Sequence, residues 1–287
     1  MSDASEATVK AIKPDLLTPA EMEQKMEAVA VTKAGLPLSK QIVLAMLSGV
    51  FISLGASFFT LVYSDASLSF AAQRILGGFM FCLGLYLVIV AGAELFTGNN
   101  LLVAAAASKK ISWKAVLRNW GIVWVGNLLG SLVGVTLIFM TNLGALAPDM
   151  AIADAFVRIA SSKASLDIAP MFFKGIMCNF LVCLAVWLTY AGRTLLDKLF
   201  ALLLPITAFV AMGFEHSVAN MFFLPMGYVT KLSGRFSSNL SAEVLDKLDL
   251  SGILLNLTVV TLGNIVGGAI LVGLVYWFIY HQKAEKK

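Results

Sequence analysis

Gly213-Phe214-Glu215-His216-Ser217-Val218-Ala219-Asn220 sets a carboxylate beside an imidazole inside a run that is otherwise uncharged from Lys198 to Lys231. An ionisable side chain at bilayer depth costs roughly 2.5 to 3.5 kcal/mol even on lenient insertion scales, so a chain that keeps two side by side is using them. The segment reads as a transport site. Its pattern, Gly-x-Glu-x-x-x-x-Asn, recurs at Gly92-Ala93-Glu94-Leu95-Phe96-Thr97-Gly98-Asn99. Arg74 and Glu94 bracket 19 uncharged residues and 14 more precede Lys109; Lys198 and Glu215 bracket 16, and 14 separate His216 from Lys231. Such runs are too long for one span of about 20 residues and too short for two spans with a turn. Each predicts a helix broken at membrane depth.

Outward from these stretches, the 287-residue chain has a mean hydropathy of +0.86 and 13% charged residues, more apolar surface than a globular core of this size can bury. It reads as an all-α polytopic membrane protein in contact with lipid, with no nucleic-acid partner expected. The first 40 residues are polar and lack the short apolar core of a cleavable signal, so the first span is expected to act as the insertion signal. Six spanning elements follow, at 41–63, a broken 71–107, 113–141, 168–191, a broken 197–230, and 252–280. If each crosses once, one side of the membrane collects 14 of the 21 cations together with both termini. The positive-inside rule then puts both termini in the cytoplasm, at the inner membrane of a two-membrane cell. The expected organisation is a cytoplasmic segment over 1–40, one six-span channel domain over 41–280 and a cytoplasmic tail over 281–287.

Residues 1–17 read as disordered. Thr18-Pro19-Ala20-Glu21 then carries a capping box with Pro in the first turn. Met22, Met26 and Val29 form an apolar stripe with Glu21, Glu23, Lys25 and Glu27 elsewhere, until Gly35 and Pro37 end the helix. Two placements fit: an interfacial helix lying on the bilayer, or a gate at the cytoplasmic mouth.

The halves echo each other again at Gly126-Asn127-Leu128-Leu129-Gly130 and Gly263-Asn264-Ile265-Val266-Gly267. A three-plus-three duplication has an odd number of crossings per half, which inverts the second copy and brings the two breaks to the midplane. The glycines of these elements read as packing residues. At each break the freed N–H groups of the following half-helix present positive partial charge to the centre, a field for an anion. Thr97, Asn99, Ser217 and Asn220 could add donors, with Asn99 and Asn220 read mainly as caps. Glu94 and Glu215 read as ties to broken backbone N–H groups, with a proton-carrying role as the alternative.

His216 is one of two histidines, and the other, His281, sits in the cationic tail, where solvation accounts for it. No second His and no positioned Cys accompany His216, so no metal is expected there, and no cofactor. Cys82, Cys178 and Cys183 lie in apolar runs and read as packing residues. Phe209 stands seven residues before His216 on nearly the same face, and Phe81 and Leu85 share a face of the second element; spacing alone does not single these out.

Taken together, the two Gly-x-Glu-x-x-x-x-Asn blocks, Asn179-Phe180-Leu181-Val182-Cys183-Leu184-Ala185-Val186-Trp187, Gly192-Arg193, the Phe-Glu-His-Ser-x-Ala-Asn-Met block at 214–221 and Gly263-Asn264 resemble the formate/nitrite transporter family over about residues 19–280. The resemblance implies an aquaporin-like six-span bundle, a homopentamer with one pore per protomer, and passage of small monovalent anions such as formate, or their acids, with protons as partners. It implies His216 as the central pore histidine, Thr97 facing it, and Asn179 and Glu215 as polar pore neighbours. Phe81 and Phe209 would form the periplasmic constriction, Leu85 and Leu95 the cytoplasmic one, and Lys163, in the loop between the third and fourth elements, a vestibule cation. Glu94, Asn99 and Asn220 would hold the loops.

Within this reading the rival substrates are nitrite, hydrosulfide and lactate. The paired Asn-Pro-Ala motifs of water and glycerol channels are absent. An intramembrane enzyme using Glu215 and His216 as acid and base lacks a nucleophile or metal site in the sequence.

Overall fold

The first helix, α1 (Pro19–Ala34), starts as its sequence predicts: the Glu21 amide donates to Thr18 Oγ1 and the Thr18 amide donates to the Glu21 carboxylate. In the computed structural model, which describes residues 16–237 and 240–281, α1 packs against the rest of the chain. The expectations for residues 1–15 and for the tail at 282–287 lie outside the described residues. The buried face of α1 holds Met22, Met26 and Ala30, and also Glu23 and Glu27, each 1% exposed. The buried face is therefore wider than the apolar stripe of Met22, Met26 and Val29 and takes in two of the charged residues expected to lie elsewhere. Two carboxylates turned inward need partners, and theirs come from Ser108, Lys110 and His281, far away in the sequence. Burial, reinforced by the adjacent Glu27 carboxylate, pushes the Glu23 carboxyl up to about 8.

The predicted spans follow with shifts of a few residues. They are α2 (Leu38–Tyr63), α3 (Phe70–Val90) with the half-helix α4 (Val103–Ala107), α5 (Trp113–Met140), α7 (Ile168–Ala191), and α8 (Leu195–Ala211) with the half-helix α9 (Ser217–Ser233). The last is a continuous run of α11 (Leu250–Ile265), a π-helical stretch over Val266–Leu274 and α12 (Val275–Tyr280). α4 is entered through a tight 3-10 turn over Gly98–Leu102. A short helix α10 (Ala242–Asp246) precedes α11.

One element was not foreseen. Residues 151–164, read as loop, form the amphipathic helix α6 (Ala151–Ala164), which buries Ile152, Phe156, Val157 and Ala160 against α9. Its length and three charged residues disqualify it as a span, and its apolar face is legible only as a 3.6-residue period. Lys163 therefore belongs to the last turn of a helix and not to a loop.

α6 completes the repeat. The order α1, α2, α3, break, α4, α5 is followed by α6, α7, α8, break, α9, α11, and equivalent bonds occur in both copies: the amide of Glu94 donates to Leu44 O, and that of Glu215 to Lys174 O. The centre of the bundle is α9, buried without interruption from Ser217 to Leu224. Close approach of α2 and α5 rests on small residues, since a Cβ at Gly130 would fall on the Met46 carbonyl.

Candidate pore site

Both breaks open on a glycine in the left-handed region, Gly92 (φ +82°) and Gly213 (φ +69°), a conformation that residues with a Cβ adopt at a cost. The chain then turns inward and leaves backbone groups without helical partners. Asn127 and Asn264 satisfy them. Asn127 Oδ1 accepts from the Phe96 amide and its Nδ2 donates to the carbonyls of Ala45 and Glu94, at 2.8–2.9 Å. Asn264 Oδ1 accepts from the Ser217 amide and its Nδ2 donates to the carbonyls of Gly175 and Glu215, again at 2.8–2.9 Å. Here lies the meaning of the repeated Gly-Asn pair: its asparagines serve as backbone surrogates at depths where lipid offers none.

The carboxylates are held by side chains. Glu94 accepts from Asn99 Nδ2 (2.7 Å) and pairs with Lys33 (2.9 Å); Glu215 accepts from Asn220 Nδ2 (2.6 Å) and pairs with Lys163 (2.8 Å). Asn99 and Asn220 also donate to Asn119 Oδ1 and Asn256 Oδ1. Two expectations are corrected here. Asn99 and Asn220 are not helix caps, and the Glu carboxylates do not tie broken backbone N–H groups. A charge buried at this depth draws the strongest donors within reach, and those are the lysine and the two amides.

The cap of α9 is His216 itself, whose Nδ1 accepts from the Ala219 amide at 3.0 Å. Nδ1 therefore carries no proton in this arrangement, and the neutral ring holds its proton on Nε2, 3.1 Å from Thr97 Oγ1. His216 and Thr97 come from opposite breaks and meet here, 3% and 0% exposed. The Phe209 ring stacks on His216 (5.9 Å) and meets Phe81 edge-on (5.7 Å). Asn179, fully buried, spends its amide on Thr97 O, Asn100 Oδ1 and Asn264 O, and so links both breaks.

Two cavities flank this centre and share no lining residue. One, about 320 Å³, lies on the α1 side and is lined by Leu85, Leu95 and Glu94 with Lys25, Lys33 and Lys198. The other, about 200 Å³, lies on the α6 side and is lined by Phe81, Phe209, His216 and Glu215 with Arg74, Lys163 and Lys174. The sequence-predicted constriction residues thus divide as two pairs, with the His216–Thr97 contact between. Each cavity has three cationic side chains against one carboxylate. Sequence reading missed the cations other than Lys163. Arg74 is the clearest case: its guanidinium donates to the C-terminal carbonyls of α8 at Val210 and Ala211, both 3.0 Å.

Comparison with known proteins agrees with this architecture. The family model described as "Formate/nitrite transporter" matches residues 20–278. The chain is 40% identical to the formate channel FocA of Escherichia coli (strain K12) over 282 residues, 94% of this chain and 97% of that protein. A solved structure described as "Pentameric formate channel with formate bound" superposes with a TM-score of 0.75 at 37% identity, covering 85% of this chain and 98% of its own. An "FNT family ion channel" superposes with a TM-score of 0.77 at 30% identity, over 90% and 98%. The all-helical membrane fold with aquaporin-like broken helices is the fold of these channels.

Proposed function

This chain belongs to the formate/nitrite transporter family, whose members are transporters and not enzymes, and we propose on that premise that it conducts formate across the bacterial inner membrane with both termini cytoplasmic. The name and bound ligand of its relatives support formate over nitrite, hydrosulfide or lactate, and the pentamer of the solved formate channel supports a homopentamer with one pore per chain. The observation that carries the reading is the pair of cationic cavities, the α6-side one lined by His216, whose ring meets Thr97 from the opposite break. Three cations to one carboxylate in each raises the local concentration of small anions at both mouths. In this reading Phe81 and Phe209 form the periplasmic constriction, Leu85 and Leu95 the cytoplasmic one, and α1 gates the cytoplasmic mouth.

An anion between these apolar pairs has lost its water and needs a donor. His216 Nε2–H supplies one when the anion replaces Thr97 as its acceptor. Full transfer of a proton is the second role: a neutral ring would be left as imidazolate, so transfer requires that His216 first be protonated at Nδ1, which costs the bond from Ala219. Favouring it is the scarcity of the neutral acid, on the order of one molecule in a thousand at pH 7 for a carboxylic acid of pKa near 4. Asn179, Glu215, Glu94, Asn99 and Asn220 hold the two loops and position the donors.

The test is uptake of labelled formate and of nitrite into liposomes carrying the purified chain. Formate uptake above protein-free liposomes, saturable and exceeding that of nitrite, is expected. Uptake no faster than in protein-free liposomes overturns the proposal, and faster nitrite uptake moves the substrate.

A further inference from the structure

Outside the pore, a second cluster of ionisable groups gathers where three parts of the chain meet. Glu23 and Glu27 come from successive turns of α1, Ser108 ends α4, and His281 follows α12. His281 Nδ1 lies 3.3 Å from Glu27 Oε1, 3.7 Å from Glu23 Oε1 and 3.2 Å from Ser108 Oγ. Glu23 Oε1 is buried and aimed at the imidazole, yet has no hydrogen-bond partner. A buried carboxylate oxygen at 1% exposure is expensive unless a proton or a cation reaches it.

From this geometry we propose that Glu23, Glu27 and His281 form a binding site for a divalent first-row transition-metal ion, zinc being the best fit, which fastens α1 to the ends of α4 and α12. Two carboxylate oxygens and one imidazole nitrogen are the hard and borderline donors such an ion takes. Bonds of about 2.0–2.2 Å in a tetrahedral shell place neighbouring ligand atoms about 3.3–3.6 Å apart; the imidazole lies 3.3 Å from Glu27 Oε1, within that range, and 3.7 Å from Glu23 Oε1, just beyond it. Calcium, which takes six to eight oxygens at longer range, fits poorly.

The surroundings are those of a supported site. Lys110 pairs with Oε2 of Glu27, while Oε1 accepts from Ser108 and faces the imidazole. Ser108 donates to Glu27 and accepts from Trp277 Nε1 at 2.7 Å, and the Trp277 ring stacks on His281 at 5.4 Å. These contacts fix the carboxylate and the ring before an ion arrives. Lys110 balances Glu27, and an ion entering the cluster takes the place of the proton that burial and the adjacent Glu27 keep on Glu23. The expectation that the chain holds no metal was argued at His216, which has no second ligand; it does not extend to this cluster.

This site is independent of what the pore carries. The test uses the full-length chain in detergent, stripped with chelator and then exposed to Zn²⁺ alone, with Mg²⁺ as the comparison. One zinc retained per chain after dialysis is expected, together with a rise in the thermal unfolding midpoint that Mg²⁺ does not produce. Glu23→Gln keeps shape and hydrogen-bonding capacity, so it should fold, and it should lose most zinc retention; His281→Ala should do the same. The proposal is overturned if the wild-type chain retains no zinc, or if the Glu23→Gln, His281→Ala double variant retains as much as the wild type. Neither outcome bears on formate uptake.

Discussion

Lys163 Nζ lies 2.8 Å from Glu215 Oε1, with 15% and 3% of the two side chains exposed. One of the three cations at the α6-side cavity is thus also the counterion of the second break, as Lys33 is for Glu94 in the first. Removing Lys163 leaves a buried carboxylate with amide donors only. Lys163→Met should cost on the order of 3 kcal/mol in unfolding free energy, and Lys163→Met with Glu215→Gln should recover most of it. The loss should be insensitive to salt, because a pair this buried is poorly screened. Unfolding of both variants in detergent at low and high salt reads this directly.

The two left-handed glycines should respond unequally. A Cβ at Gly92 meets nothing within 4 Å, so Gly92→Ala carries the backbone cost alone, about 1–2 kcal/mol. At Gly213 the same Cβ would stand 2.8 Å from Arg74 Nη2, so Gly213→Ala should also displace the guanidinium from the end of α8. The larger loss of thermal stability is expected at Gly213.

Asn264→Ala should be among the most damaging single changes in the chain. It strands the Ser217 amide and the carbonyls of Gly175 and Glu215, each at about 1–3 kcal/mol. Asn127→Ala should match it at the first break. Thr136→Ala, which removes a bond from an exposed hydroxyl within α5, is the near-neutral control. Yield of folded protein in detergent checks all three.

His216→Asn retains a donor near Thr97 but cannot carry a proton. If His216 only donates a hydrogen bond, formate uptake by the variant should keep the wild-type pH profile at a reduced rate. If it donates a proton, uptake should collapse towards neutral pH, or a current carried by the bare anion should appear. Liposome uptake and electrical recording across pH 4 to 8 separate the two.

Deleting residues 1–30 removes Met22, Met26 and Ala30 from the wall of the α1-side assembly and leaves Lys33 in place. Assembly should survive and formate uptake should change in rate or pH dependence. Unchanged uptake at every pH rules out α1 as a gate.

The positions of the breaks were legible because charge is costly in lipid: the intervals between Arg74, Glu94 and Lys109, and between Lys198, Glu215 and Lys231, bound the half-helices to within a few residues. His216 stood out for the same reason. The inward face of α1 was not legible, since Glu23 and Glu27 look like solvated residues until partners from 108–110 and 281 are brought to them. Nor was α6, although one signal existed. Lys33 precedes the first residue of α2 by five positions, and Lys163 precedes that of α7 by the same five. The repeat therefore starts one helix earlier than the spans alone suggest.

Superposing the copies by their numbering sets Glu94 on Glu215 and Asn99 on Asn220, and it sets Leu95 on His216 and Thr97 on Val218. A frame made in duplicate therefore encloses a chemical centre made once. On the proposed path, a solute between the two apolar constrictions meets one donor pair, His216 and Thr97, with no duplicate of it contributed by the other copy. Such a conduit passes its cargo singly, so formate flux through each chain should saturate hyperbolically with a Hill coefficient near one, even where five chains stand together.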